Sequence, residues 1–286
     1  MSSTNLSWFF NVEYYKDAFK DGFAFSDINQ KFLNFNPIAI THPVLPGELS
    51  FDLQTQYPGL LAGTGYCHQG GIQGEVCAGL SLDYVTGSPY LPGSSVKGAL
   101  RAAFEHEGYI RELLQDDSAD VLALECNIFG HRREKETGSA GCSQDVFLDA
   151  YPVQYDTNGL LDLENITPHH VSENWELSDP IPLTFLKIRP DVVFRFRFLL
   201  ADSMGLVAEE KLALFRKILL DLGIGAKTNV GFGRFTDGIK QLHPVQRASQ
   251  EGVCLDCGKK TKMNAKTGKY YSRCFDCNQK HIKMKG

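Results

Sequence analysis

Four cysteines near the C-terminus have the spacing of a metal site. Cys254 and Cys257 form one C-x2-C pair and Cys274 and Cys277 another, with sixteen residues between them, which is zinc-ribbon spacing. Two pairs of thiolates close a tetrahedral site with no open position, so the Zn2+ expected here is structural. Disulfide pairing is the alternative, disfavoured in a reducing compartment. Cys67, Cys77, Cys126 and Cys142 show no such spacing and read as ordinary buried thiols.

A second chemical stretch is DLGIGAKTNVGFGRF, residues 221–235, where a periodic helix runs into closely spaced glycines. Gly223, Gly225, Gly231 and Gly233 lack a Cβ and let a partner approach the main chain. Between them stand Ala226, Lys227, Thr228 and Asn229. A cation, a hydroxyl and an amide among exposed backbone N–H groups suit a phosphate oxygen. The stretch is not a P-loop, because Ala226 precedes Lys227 and the helix comes first. Nor is it the dinucleotide fingerprint, since Thr228 stands where the third glycine belongs. The same residues also read as a helix C-cap at Gly223 followed by a bulged strand.

Two further stretches carry weaker anion signals. In TGSPYLPGSSVKGALRAAF, Ser94 or Ser95 can cap a helix, and Lys97 and Arg101 lie one turn apart on one face. Hydroxyls, free N–H groups and two cations there suit an anion, and a capped helix with a solvated face fits equally well. In YPGLLAGTGYCHQGGIQG, Gly63, Thr64 and His68 add a second glycine-rich candidate, with a mobile turn as the alternative. As catalytic groups, His68, Asp149, His169 and His170 are the candidates, but no pair has a spacing that assigns acid and base roles.

The positioning elements follow from periodicity. Residues 8–20 read as an aromatic packing helix and 35–58 as irregular or short extended structure. Residues 75–85 are expected to be the first core strand, followed by a helix through Val96, Ala99, Leu100, Ala103 and Phe104. A polar helical region ends at NIFG, and HRREKETGSAGCSQD, residues 131–145, reads as an exposed loop or hairpin. QDVFLDAYPV is a strand, with Asp149 a turn or cap residue. After a long aperiodic segment, 155–182, PDVVFRFRFLL alternates Phe194, Phe196 and Phe198 with Arg195 and Arg197. Residues 207–222 form an amphipathic helix through Leu212, Phe215, Leu219 and Leu222, and NVGFGRF is the last strand. The order is that of an α+β, ferredoxin-like (RRM-like) βαββαβ core with insertions over residues 1–246, plus a small zinc-ribbon tail over 247–286.

Composition sets the frame. With 286 residues and 43% hydrophobic content, the chain can bury a sizeable core. No run of about 18 apolar residues occurs, so no membrane span is expected. The start, MSSTNLSWFFNVEYYKD, lacks the features of a signal peptide, and a cytoplasmic location is the expectation. The net charge of −5 is unevenly spread. Residues 253–286 hold nine Lys or Arg and two Asp, hence +7, leaving 20 basic against 32 acidic residues, hence −12, in the rest. Local cation clusters, not the total, decide binding to a polyanion.

YLPGSSVKGALR, IFG, VFLDAYP, TPHH and GIGAKTNVGFGRF, together with NLSWFFN and YPGLLAGTG, resemble the RAMP proteins of CRISPR systems. Their order is most similar to the subunit-six family of the type III-B effector, the Cmr complex, and the likeness spans residues 5–236. The resemblance implies a non-catalytic, RRM-like RNA-binding subunit near the 3′ end of a guide (CRISPR) RNA, acting in antiviral defence. Target RNA would be met through the guide, beside other Cmr-type subunits. It carries the glycine-rich loop and the start of the first helix over as guide-backbone contacts, with base pairing supplying sequence specificity. A projecting, duplex-interrupting hairpin would come from residues 131–145 or the His169 region. An endoribonuclease acting on guide precursor or target RNA is the alternative within the family. The zinc-ribbon tail departs from the family pattern. With zinc bound it retains about +5 of its charge, enough to clamp RNA phosphates or an acidic neighbour.

Overall fold

Phenylalanine alternation in residues 193–199 builds the strand around which the protein packs. The computed structural model describes residues 5–18, 20, 23–35, 43–63, 74–130, 143–156, 158–166 and 183–239. Its helices are α1 (Leu6–Trp8), α2 (Phe25–Leu33), α3 (Gly93–Ala103), α4 (Glu107–Leu114), α5 (Val121–Phe129) and α6 (Ala208–Leu222). Its strands are β1 (Glu48–Thr55), β2 (Val76–Ala78), β3 (Ser81–Leu82), β4 (Pro89–Tyr90), β5 (Val146–Phe147), β6 (Tyr151–Gln154), β7 (Leu161–Ile166), β8 (Leu183–Ile188), β9 (Val193–Leu199) and β10 (Phe235–Thr236). The fold is α+β.

β9 lies between β1 on one side and β5 and β6 on the other, and β10 adds to the free edge of β1, all antiparallel. Phe194, Phe196 and Phe198 point inward and are at most 1% exposed. Phe51 stacks on Phe196 at 5.4 Å, while Phe198 and Phe147 meet Phe215 of α6, each at 5.6 Å. The opposite face alternates as the pleat requires. There Arg195 pairs with Asp52 through two bonds of 2.8 Å, and Arg197 pairs with Glu48 through bonds of 2.6 and 2.7 Å.

The first core strand is β1, not residues 75–85. Leu49, Phe51 and Leu53 alternate with Ser50, Asp52 and Gln54, and Pro46 and Pro58 bound this run without interrupting it. The segment expected to be that strand breaks at Gly79. It supplies β2 to a second sheet, ordered β2-β8-β7, and β3 to a small hairpin with β4. The expected helix over 8–20 is shorter too, a helical turn at Leu6–Trp8 continuing as a π-helical turn through Glu13. Its aromatics do pack inward: Phe10 and Tyr14 are buried.

α6 forms where expected, but its buried face is rotated. Lys211, Leu214, Phe215, Ile218 and Leu219 are buried, whereas Leu222 is 40% exposed. The cause is an ion pair inside the fold. Lys211 Nζ donates to Asp145 Oδ2 (2.9 Å), to Ser203 Oγ (2.6 Å) and to the Ala201 carbonyl (2.7 Å), and Asp145 Oδ1 accepts the Ala201 N–H at 2.8 Å. Both side chains are 1% exposed. Every strong group of the pair has a partner, as burial of charge demands.

Two stability measurements follow. Phe196→Ala should lower unfolding free energy by about 3–5 kcal/mol in urea titrations, since the cavity sits where Phe51, Phe196 and Phe235 meet. Lys211→Met and Asp145→Leu should each cost about 3–5 kcal/mol by leaving a buried charge alone, and the double variant less than the sum.

Candidate nucleic-acid interface

The glycine-rich stretch after α6 is built by a crossing of two backbones. The chain leaving β1 runs through residues 56–62, and the 223–234 segment lies against it. Gln56 N–H donates to the Arg234 carbonyl (2.9 Å), Gly233 N–H to the Gly59 carbonyl (2.8 Å) and Ala226 N–H to the Leu61 carbonyl (2.7 Å). At Gly233 a Cβ would stand 1.9 Å from the Ile224 oxygen, and at Gly225 it would stand 2.3 Å from the Leu61 oxygen, both at positive φ. No side chain fits in either place.

Gly223 is the C-cap of α6, the alternative its sequence offered. Gly223 and Gly233 are buried, and their missing side chains make room for the protein's own carbonyls. Gly63 does the same against Gly79. Gly231 is half-buried beside Pro58. Residues 228–230 form a single 3-10 turn, so the expected strand over NVGFGRF is reduced to β10.

What remains open to solvent is the turn that the crossing holds out. Gly225, Ala226, Lys227 and Asn229 are exposed and Thr228 is half-buried. Lys227 takes the left-handed conformation, φ 58° and ψ 36°, and makes no ion pair among the described residues. Left-handed geometry is uncommon for a side chain branching from an L-residue. Two neighbours were not singled out from the sequence. Arg234 is half-buried and its guanidinium donates to the Asp221 carbonyl at the end of α6, so its charge faces a helix C-terminus and, among the described residues, no carboxylate. Tyr57, one residue before Pro58, is 85% exposed. Its turn, Gln56 to Gly59, is tied through Gln56 and Gly59 to Arg234 and Gly233, a connection nothing in the sequence indicated.

The start of α3 is less open than expected. Its N-cap is Pro92, and the Gly93 N–H is already taken by Asp149 Oδ1 at 2.7 Å. Ser94 and Ser95 sit exposed in the first turn and do not cap it. Asp149 thus serves the first turn of α3 from a distant segment, instead of a turn of its own. Lys97 Nζ lies 5.6 Å over the Phe147 ring. Arg101 Nε meets Glu125 at 2.7 Å and its Nη2 meets the Gly130 carbonyl at 3.0 Å, so it holds α5 to α3. These two cations are engaged within the fold.

The two candidate surfaces are tied to different parts of the fold. The start of α3 is bonded to Asp149, between β5 and β6, and the Lys227 turn to the chain that leaves β1, through Leu61 and Gly59. The outer face of β1 and β9 carries the Arg195–Asp52 and Arg197–Glu48 pairs. Bonding to Arg197 holds the Glu48 carboxyl below its ordinary range, so the pair is ionised at neutral pH.

Thr64, His68, His169, His170 and the cysteines Cys67, Cys142, Cys254, Cys257, Cys274 and Cys277 lie outside the described residues, as do 131–142 and the tail. Cys77 and Cys126 are free thiols, half-buried rather than buried. Among the described residues, no group of His, Cys, Asp or Glu is placed to hold a metal, and no helix is long and apolar enough to cross a membrane.

Comparison with known proteins finds several to which the chain is similar. The CRISPR system CMR subunit Cmr6 of Saccharolobus solfataricus is 31% identical over 160 residues, 55% of this chain and 48% of that protein. Cmr6 of Pyrococcus furiosus is 28% identical, over 53% of this chain and 58% of that protein. The chain thus matches roughly half the length of these relatives. A chain in the cryo-EM structure of the type III-B Cmr-beta bound to cognate target RNA gives a TM-score of 0.48 at 26% identity, over 66% of this chain and 57% of that one. The model of the RAMP superfamily matches residues 52–236, from the middle of β1 through β10. The chain belongs to the RAMP superfamily.

Proposed function

We propose that this protein is a non-catalytic, guide-RNA-binding subunit of a type III-B CRISPR effector, cytoplasmic and lying near the 3′ end of the guide. Target RNA is met through that guide, beside other Cmr-type subunits. The observation that carries the reading is the exposed Lys227 turn, a cation on a rigid backbone frame with no carboxylate partner among the described residues. Similarity to Cmr6 proteins supports it. So does the sheet order β10-β1-β9-β5, with α3 after β1 and α6 after β9, which we read as a ferredoxin-like βαββαβ core.

In this reading the RNA follows loops rather than the sheet. On many RRM-like sheets, exposed aromatics stack bases, but here paired arginines and carboxylates occupy the outer face of β1 and β9. A backbone contact at Lys227 reads phosphate and leaves sequence to base pairing. Asn229 and the Thr228 hydroxyl supply neutral hydrogen-bonding groups beside it. The start of α3 then serves as a secondary contact, through Ser94 and Ser95.

We assign the four tail cysteines, Cys254, Cys257, Cys274 and Cys277, to a structural zinc. The donor set fits, since four thiolates at this spacing satisfy a closed tetrahedral ion.

Two experiments test these assignments. Lys227→Glu should weaken binding of single-stranded guide RNA uniformly across sequences and lower the salt slope by about 0.7, one phosphate contact. Lys227→Gly should lose the same contact while keeping or raising stability by up to about 1 kcal/mol, because glycine relaxes the left-handed backbone. An unchanged salt slope in both would remove the turn from the RNA path. For the tail, purified protein should retain zinc by elemental analysis, and Cys274→Ser should abolish retention. Zinc-free wild-type protein would end that assignment.

A further inference from the structure

We infer that Tyr57 is a base-stacking platform, so that the glycine-framed site grips a nucleotide by its base as well as its phosphate. The inference rests on the RNA-binding reading above and names a contact which that reading does not contain.

Tyr57 is 85% exposed. An aromatic ring left in water is common enough singly, so exposure alone decides nothing; the mounting does. Gly59 N–H donates to the Gln56 carbonyl at 2.8 Å, closing a four-residue turn with Tyr57 at its second position. Both ends of that turn are tied to the glycine-rich segment, Gln56 N–H to the Arg234 carbonyl and Gly59 carbonyl to the Gly233 N–H. Pro58, the next residue, packs against Gly231, whose N–H bonds back to Thr228. Tyr57 and Lys227 therefore stand on two turns of one hydrogen-bonded frame, and neither ring nor ammonium is covered by the protein.

That combination is what single-stranded nucleic acid uses. A cation meets the backbone, and a ring of fixed position offers a face to a base without reading its identity. A guide-binding protein has to be tolerant in this way. A preorganised aromatic also loses little conformational freedom on contact, having two side-chain torsions on an already fixed turn. The other highly exposed tyrosine among the described residues, Tyr84 at 87%, sits on the turn joining β3 and β4, its carbonyl bonded to Asn5. It serves as the matched control.

The test uses the full chain and single-stranded RNA oligonucleotides carrying 2-aminopurine at successive positions. Stacking predicts that one position is quenched on binding, and that Tyr57→Leu removes the quenching and lowers affinity about 5- to 150-fold. The salt slope should stay unchanged, since no phosphate contact is lost. Tyr57→Phe should bind as wild type, because the ring and not the hydroxyl makes the contact, and Tyr84→Leu should change nothing. Melting temperatures verify that each variant is folded. If Tyr57→Leu binds as tightly as wild type while Lys227→Glu weakens binding, the stacking contact is wrong and the RNA-binding reading stands. If wild-type protein binds none of the oligonucleotides, both are wrong.

Discussion

The crossing of residues 59–62 over residues 223–233 is the constraint on which the rest of the molecule depends. Both segments continue strands of the central sheet: the first follows β1 and the second leads into β10. Their backbone hydrogen bonds set the register in which Thr55 meets Phe235 and Gln54 meets Thr236. The same segment then turns the corner into the second sheet, where Leu60 exchanges hydrogen bonds with Ile188. At Gly59, Gly225 and Gly233 a Cβ would collide with the carbonyls of Ile188, Leu61 and Ile224, so the crossing requires glycine there. The glycines therefore shape the site from within, and the exposed turn is what the crossing leaves over.

This explains which parts were legible in the sequence. Strict alternation announced β9 down to the face of each phenylalanine and arginine, because burial on one side of a pleat imposes period two. α6 was legible as a helix, but its rotation was not, since Lys211 counts as polar until Asp145, 66 residues away in sequence, draws it inside. β1 was passed over because prolines near its ends masked a clear alternation, and the first-strand role went to residues 75–85 instead. Lys227 was singled out from residue type and glycine company, and the structure leaves it exposed on a turn. Of the two readings of the glycines, the C-cap at Gly223 is the one the backbone displays, since a glycine accommodating a carbonyl and a glycine accommodating a ligand look alike in one dimension. Tyr57 and Arg234 come onto the same backbone frame only through the crossing itself.

Charge distribution gives the site its meaning in a protein with an acidic body. Arg101, Arg195, Arg197, Lys187 and Lys211 each face a carboxylate within the fold. Such pairs are close to neutral when viewed from beyond a Debye length of about 8–10 Å, so they organise packing and attract little from solution. Lys227 has no such partner among the described residues, and Arg234 is bonded to a carbonyl. If the proposed RNA-binding role holds, a phosphate approaching the sheet face would meet compensated charge, whereas at the glycine-framed turn it would meet Lys227, whose ammonium makes no ion pair among the described residues. An acidic total would then leave a polyanion the places where cations lack a carboxylate partner, and the left-handed Lys227 turn is one of them.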